Sequence, residues 1–197
     1  AQCLVGSEMC IRDSNEFDSV CKNLDFNVFK VFRDRQITNK LLSPSGDIRV
    51  LKSRNISDDG KNVMDIDGYD SYISYDDAKN LSVYSYLDCN NVYLTPNMTY
   101  KPRMIEKPKE CLVNGSLAVL IPKKGIIPTK EQLAFFSTQE YRNFYQIARN
   151  FQTRSLNVDA CSVFFYGLLR DKAKKSPITE KLDEKENIQI TIFDYVK

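Results

Sequence analysis

The chain has 197 residues, with 28 Lys and Arg against 26 Asp and Glu, six cysteines, and neither histidine nor tryptophan. This composition is typical of a globular protein of one domain or two small ones, and no apolar run approaches the roughly 18 residues that a membrane-spanning helix needs. Without histidine, Ser-His-Asp and Cys-His nucleophile pairs and His-ligated zinc are excluded, which removes most familiar hydrolase chemistry.

The first 14 residues are not expected to belong to the fold. Residues 3–14 closely resemble a translated sequencing-library adapter, because residues 8–14 can be back-translated into a transposase mosaic end. A signal peptide or an apolar strand is the weaker interpretation, since Glu8, Arg12 and Asp13 interrupt the apolar stretch. We therefore treat residues 1–14 as a disordered scar and expect the chain to be a C-terminal fragment of a longer protein.

Short apolar runs bounded by turn residues predict seven strands. The predicted strands are residues 28–32, 48–52, 91–95, 111–113, 117–121, 161–168 and 188–193. Asn114-Gly115, which lies between two of these runs, indicates a β-hairpin. Between the last two strands, residues 171–187 are rich in Lys and Glu and predict a charged surface loop.

Capping-box patterns predict two helices that begin just after Thr129 and just after Ser137. In the second helix, aromatic residues recur at helical spacing, so one face packs while the other can touch a partner. A third helix is predicted over residues 77–87. Because strands and helices do not alternate regularly, we expect an α+β fold with a mixed or antiparallel sheet and a few packed helices. We assign four aromatic residues to its core: Phe144, Tyr145, Phe164 and Phe165.

The cysteines indicate a reducing compartment. Four of them lie beyond residue 14, far apart and without a Cys-x-x-Cys pair: Cys21, Cys89, Cys111 and Cys161. This spacing predicts reduced, mostly buried thiols in a cytoplasmic protein, and neither a disulfide framework nor a zinc site.

Charge is distributed unevenly along the chain. Residues 30–61 carry a net charge of +4, residues 62–97 a net charge of −5, and residues 98–175 a net charge of +8. Such blocks are typical of a protein with a positive face for an anionic polymer, although solvated surface charge explains them equally well. Five aspartates between residues 65 and 77 lack the spacing of an EF-hand loop and are interpreted as solvated loop charge. Neither of the usual Gly-rich phosphate-binding motifs occurs.

Four polar and basic segments carry the functional interpretation. They are residues 33–36, 52–55, 96–103 and 149–157. Each combines Arg or Lys with Asn, Gln, Ser or Thr, which are the side chains that pair with base edges and phosphates. One such segment is weak evidence, but four on the loops of a rigid scaffold favour recognition of nucleic acid without a recognition helix.

These segments also carry a family resemblance. Residues 91–103, 113–120 and 136–150, in this order, resemble parts of the C-terminal target-recognition domain of restriction-modification DNA methyltransferases. The similarity is greatest to adenine-specific type II enzymes, including those of type IIS systems with asymmetric sites. Residues 153–167 resemble the end of that domain and residues 34–56 its opening strands, so the resemblance covers about residues 28–170.

The resemblance implies that recognition and chemistry reside in different domains. In this family a separate N-terminal domain binds S-adenosylmethionine and methylates a flipped adenine, as enzymes acting on bases within duplexes must. Neither its F-x-G-x-G motif nor its Asn/Asp-Pro-Pro-aromatic motif occurs in this chain. We therefore expect residues 15–170 to hold double-stranded DNA in register and to bind no cofactor themselves. The implied partners are the methyltransferase domain and, as a candidate, a restriction endonuclease.

Twelve residues are predicted to contact DNA. Direct contacts are expected from Arg35, Lys52, Arg54, Asn55, Arg103 and Arg154, phosphate contacts from Lys101, Arg149, Ser53, Thr99 and Ser155, and stacking from Tyr100. Some alternatives remain open: Arg103, Arg149 and Arg154 as internal braces, Asn97 and Asn157 as turn caps, Tyr100 as a packed side chain. Gly115 is interpreted as a requirement of its turn.

Two other functions compete with this interpretation. The chain could be half of a type I restriction specificity subunit, which keeps DNA recognition but changes the parent protein. It could also be a non-enzymatic interaction domain whose basic face meets an acidic partner, which predicts no preference among duplex sequences.

Overall fold

The computed structural model describes residues 15–170 with the exceptions of 16, 100 and 150–156. The predicted scar over residues 1–14, the predicted loop over residues 171–187 and the predicted strand over residues 188–193 lie outside this part of the chain. The described strands are β1 (Leu24–Asp25), β2 (Phe29–Phe32), β3 (Ile48–Leu51), β4 (Ser71–Ile73), β5 (Tyr93–Pro96), β6 (Ile105–Glu106), β7 (Cys111–Val113), β8 (Leu117–Pro122) and β9 (Leu168–Leu169).

Helices connect or flank these strands. The α-helices are α1 (residues 17–23), α2 (Tyr75–Ala78), α3 (Lys130–Phe135) and α4 (Gln139–Ala148), and the 3-10 helices are Asn39–Leu41, Ser53–Asn55, Ser82–Tyr86 and Ser162–Phe165. The strands form an antiparallel pair, β1-β9, a four-stranded sheet in the order β2-β8-β5-β6, and a three-stranded sheet in the order β4-β3-β7. All pairs are antiparallel except β3 with β7. The predicted α+β class, with mixed and antiparallel sheets, is confirmed.

The four-stranded sheet separates two hydrophobic cores. Along β8, Ala118 and Leu120 face the first core while Leu117 and Val119 face the second, and all four are fully buried. Alternate residues of a strand point to opposite faces, so a strand covered on both faces is apolar throughout. The first core lies against α1, α3 and α4, and the second lies against the β4-β3-β7 sheet. The architecture is therefore a layer of helices, a sheet and a second sheet.

Most of the predicted strands are confirmed, but the predicted hairpin is wrong. The turn at Asn114-Gly115 exists, yet β7 pairs with β3 while β8 pairs with β2 and β5. The chain thus passes from one sheet to the other at this turn. An Asn-Gly signal reports the local reversal of the chain and carries no information on which strands pair.

The prediction for residues 161–168 is also wrong. Residues 162–165 form a 3-10 helix, because Asp159 Oδ1 accepts hydrogen bonds from the N–H groups of Cys161 (3.1 Å) and Ser162 (2.8 Å). Only β9 at residues 168–169 is extended. A side chain that satisfies two successive backbone donors outweighs the strand preference of the aromatic residues that follow.

Helix α3 begins where its capping box predicts, and α4 begins one residue late. Thr129 Oγ1 accepts from Gln132 N, and the Gln132 side chain returns to Thr129 N. Both Ser137 and Thr138 still donate their N–H groups to carbonyl oxygens at the end of α3, those of Ala134 and Phe135. Of the two hydroxyls, that of Thr138 caps α4, since its Oγ1 accepts from Tyr141 N at 3.1 Å.

The predicted helix over residues 77–87 is replaced by two shorter elements. Helix α2 ends at Ala78, and the extended backbone at Leu81 separates it from the 3-10 helix at residues 82–86.

Among the predicted core residues, Phe144 and Tyr145 are buried. Phe164 and Phe165 are half-buried.

The four predicted thiols are free, but their burial was overestimated. Cys161 is exposed and the other three are half-buried. Burial raises the pKa of Cys21 to about 11, with a further contribution from Asp18, so this thiol stays protonated at neutral pH.

Candidate nucleic-acid interface

Three of the predicted polar segments, residues 33–36, 52–55 and 96–103, meet at the turn formed by Asn114, Gly115 and Ser116. Ser116 Oγ accepts from Ser53 N at 3.0 Å, and Ser116 O accepts from Asn97 N at 2.9 Å. A Cβ on Gly115 would lie 2.8 Å from the carbonyl oxygen of Asp34, so the segment 33–36 touches the same turn. The glycine is therefore required by the close approach of the Asp34 backbone, and not, as the sequence predicts, by the conformation of its own turn.

Asn97 attaches the fourth segment to this turn. Its Nδ2 donates to Gly115 O at 3.2 Å and to Asn157 Oδ1 at 3.1 Å, and its Oδ1 accepts from Val158 N at 2.9 Å. Arg149 Nη2 donates to Asn157 O at 3.5 Å. Asn97 and Asn157 thus connect separate loops, a role that differs from the turn caps considered for them, and Arg149 is half-buried beside them.

The structure contradicts the prediction that Arg103 contacts DNA. Its side chain is buried, and its guanidinium donates to three carbonyl oxygens, those of Ile56, Ser53 and Lys101, at 3.2–3.3 Å. Burial lowers the pKa of Arg103, an effect that Asp58, 3.8 Å away, opposes. These four hydrogen bonds use all three guanidinium nitrogens, so the planar fork is occupied inside the fold. Arg103 is a brace between the segments 96–103 and 52–55.

Asn55 is also an internal residue, so its predicted contact with DNA is wrong. The residue is 0% exposed. Its Oδ1 accepts from Lys52 N at 2.9 Å, and its Nδ2 donates to Met64 O at 3.0 Å and to Asp70 Oδ1 at 2.6 Å. With both ends of the amide satisfied inside the fold, no group remains to pair with an adenine edge.

Lys52 is held by neighbouring side chains and backbone. Its Nζ donates to Tyr69 O and to Ser71 Oγ, and lies 4.0 Å from the centroid of the Tyr69 ring. Burial lowers the pKa of Lys52, while Asp70 opposes this effect. Two of the three donors of this half-buried ammonium are thus used inside the fold, and the contact of Lys52 with DNA stays a prediction.

Asp70 is not solvated loop charge, although the sequence predicts this for all five aspartates between residues 65 and 77. Four of them are exposed, but Asp70 is half-buried and bonds to Asn55 Nδ2, to Ile66 N and to Arg49 Nη2. Burial alone would raise the pKa of Asp70, but these hydrogen bonds and the charge of Arg49 lower it overall. Asp70, from the negatively charged residues 62–97, thus helps to hold the segment 52–55 in place.

Among the predicted contacts that the structure describes, three are exposed: Arg35, Arg54 and Lys101. The Arg54 guanidinium carbon lies 4.8 Å from the centroid of the Tyr69 ring, so an aromatic face orients this cation. Lys101 lies on a neighbouring segment, because Arg103 donates both to Lys101 O and to Ser53 O. Arg35 follows Asp34, whose carbonyl touches Gly115. The same framework therefore presents three cations to solvent.

The two hydroxyls in this region are placed differently from each other. Thr99 Oγ1 accepts from Lys101 N at 2.9 Å and donates to Lys101 O at 3.3 Å, so it closes a local turn. Ser53 is half-buried, and its hydroxyl lies on the segment that also carries Arg54. The predicted residues Tyr100, Arg154 and Ser155 lie outside the described residues.

Sequence reasoning missed two features of this site. One is Tyr69, which contacts both cations of the 52–55 segment from 15 or more positions along the chain. The other is the role of Ser116 as the residue that joins two segments. No local pattern reports either, since both depend on tertiary contacts between distant segments.

No family model matches the chain, and no curated protein matches it either. Among the described residues, His, Cys, Asp and Glu form no group that could hold a metal ion. In the same part of the chain, no helix is both long and apolar enough to cross a membrane.

Proposed function

We propose that this chain recognises a specific double-stranded DNA sequence, as the target-recognition part of an adenine-specific DNA methyltransferase of a restriction-modification system. The observation that carries the proposal is the meeting of three polar segments, residues 33–36, 52–55 and 96–103, at one turn, with Arg35, Arg54 and Lys101 exposed on them. The family resemblance of residues 28–170 supplies the parent enzyme.

The proposal separates the exposed cations by role. Arg54, fixed against Tyr69, presents a planar fork that suits the major-groove edge of guanine. Lys101 presents a point charge, which suits a phosphate oxygen and carries no sequence information. We assign no step of methyl transfer to these residues, because the family's motifs for S-adenosylmethionine and for catalysis do not occur in the chain.

Selection from a random duplex library tests the proposal. The full chain is incubated with the library at about 50 and 200 mM salt, since contacts to phosphate alone weaken steeply over this range. An enriched short motif that persists at the higher salt supports specific recognition. Binding that is lost at the higher salt without any motif overturns it and favours a basic interaction domain.

Three variants then test the assigned roles. Arg54→Gln should weaken binding by about 1–3 kcal/mol and relax the preference at one base pair, whereas Lys101→Gln should weaken all duplexes alike and lower the salt slope by about one. Lys109→Gln is the matched control, because this exposed lysine lies at the end of β7 remote from Asn114. Equal losses for Arg54→Gln and Lys101→Gln on every duplex would contradict the assignment of base reading to Arg54.

A further inference from the structure

Met98 is the one large exposed apolar side chain of the four polar segments, as far as they are described. Its relative exposure is 65%, whereas the preceding Asn97 is 2% exposed. Exposure of a thioether side chain gives up the stabilisation that burial would bring, and the neighbouring polar residues do not cover it.

The backbone on both sides of Met98 is anchored. On one side, Asn97 bonds to Ser116 O through its N–H and to Gly115 O and Val158 N through its side chain. On the other, Thr99 closes a turn with Lys101, whose carbonyl accepts from Arg103 Nη1 at 3.2 Å. The exposed methionine is therefore held out from a fixed loop, and binding through it would cost little ordering of the backbone.

Charge around Met98 indicates what it meets. Lys101 is exposed three residues further on, and Arg54 is exposed on the segment that Arg103 ties to the same loop. An apolar tip on a surface that also carries two exposed cations complements a duplex, in which phosphates flank an apolar stack of bases. Minor-groove and architectural proteins insert Met, Leu, Ile or Phe between base pairs in this way.

We propose that Met98 is an apolar wedge that contacts the base stack of the bound duplex at one step of the recognised site. This inference rests on the proposed function. Met98 would respond to how easily one base step opens, whereas Arg54 would contact the edges of the bases. Easier opening lowers the free energy of the bound, distorted duplex, so the wedge contributes to the choice of sequence.

The experiment uses the full chain and a set of duplexes that contain the motif recovered in the library selection. In this set a single abasic nucleotide is moved one position at a time through the motif, and the dissociation constant is measured for each duplex. An abasic nucleotide removes the cost of unstacking at its own position. We expect affinity to fall at positions that are read, and to rise about tenfold at the one position where Met98 enters.

Met98→Gln provides the decisive comparison, since glutamine keeps the length of the side chain and replaces its apolar end with an amide. The variant should lose the tenfold rise while the losses at the read positions stay the same. Met64→Gln is the matched control, because Met64 is also an exposed methionine but lies outside the four polar segments. It should behave as the wild type.

The outcomes separate this inference from the function on which it rests. A motif with no position of increased affinity, or a Met98→Gln variant that keeps the increase, overturns the wedge and leaves sequence-specific recognition intact. Failure to recover any motif overturns both. An increase that disappears in Met98→Gln and persists in Met64→Gln supports the wedge.

Discussion

Replacement of Arg103 by methionine tests whether this residue is a brace. Methionine keeps the unbranched apolar stem but removes the donors to the carbonyl oxygens of Ile56, Ser53 and Lys101. A hydrogen bond from a charged donor contributes about 1.5–3 kcal/mol, and the carbonyl of the buried Ile56 has no access to water as a substitute. The carbonyls of Ser53 and Lys101 lie nearer the surface and can be hydrated. We therefore expect unfolding to become easier by about 3 kcal/mol, mostly from Ile56.

Urea unfolding and thermal unfolding, both followed by far-ultraviolet circular dichroism, measure this loss. For a chain of this size, about 3 kcal/mol corresponds to a decrease in Tm of roughly 6–12 °C. Arg54→Met is the control, because Arg54 is exposed, and it should stay within about 0.5 kcal/mol of the wild type. The reasoning fails if Arg103→Met is as stable as the wild type while its affinity for the enriched duplex falls tenfold. That result would return Arg103 to the direct DNA contact that the sequence predicts.

Three further variants test separate parts of the framework. Gly115→Ala should destabilise the fold by about 1–3 kcal/mol, because the added Cβ would lie 2.8 Å from the Asp34 carbonyl oxygen. A urea unfolding curve identical to that of the wild type would refute the close approach. The pKa of the Asp70 carboxyl is lower in the folded protein than in the unfolded chain, where it is about 4. The ionised carboxylate therefore stabilises the fold at pH values above about 4, and this contribution disappears as pH falls through the folded pKa. The difference in stability between wild type and Asp70→Asn should accordingly be full at pH 7 and shrink in acid, whereas a difference independent of pH would contradict the assigned cause. Tyr69→Leu should weaken DNA binding by about 0.5–1 kcal/mol, because it removes the aromatic ring beside Arg54. Tyr69→Phe retains the ring and should bind DNA like the wild type. Equal losses in the two variants would exclude the aromatic contact.

Local features of the fold are well predicted by the sequence. The continuous apolar run of β8 and the capping box at Thr129 depend on residues within a few positions of one another, and both are found as predicted. The errors at Ser137 and at residues 161–168 arise where two local preferences compete. At Ser137 the adjacent Thr138 offers a second hydroxyl and takes the cap, and at residues 161–168 the Asp159 side chain binds backbone N–H groups that a strand would use.

The candidate site is predicted in location but only partly in its residues. The three predicted segments before residue 104 do come together, yet Arg103, Asn55 and Lys52 are used inside the fold while Arg35 and Arg54 are exposed. Both groups have the same residue types in similar loops. What separates them is burial, and burial depends on which distant segments cover each loop, which no single-segment pattern contains.

The separation between bracing and exposed side chains has a consequence for how such a surface can diverge. Asn55, Asn97 and Arg103 hold the loops, and substitution there carries a cost in folding. Arg35 and Arg54 extend from the same loops into solvent, where exchange of a side chain costs little stability. A new preference for a ligand can therefore arise through single substitutions that leave the scaffold unchanged.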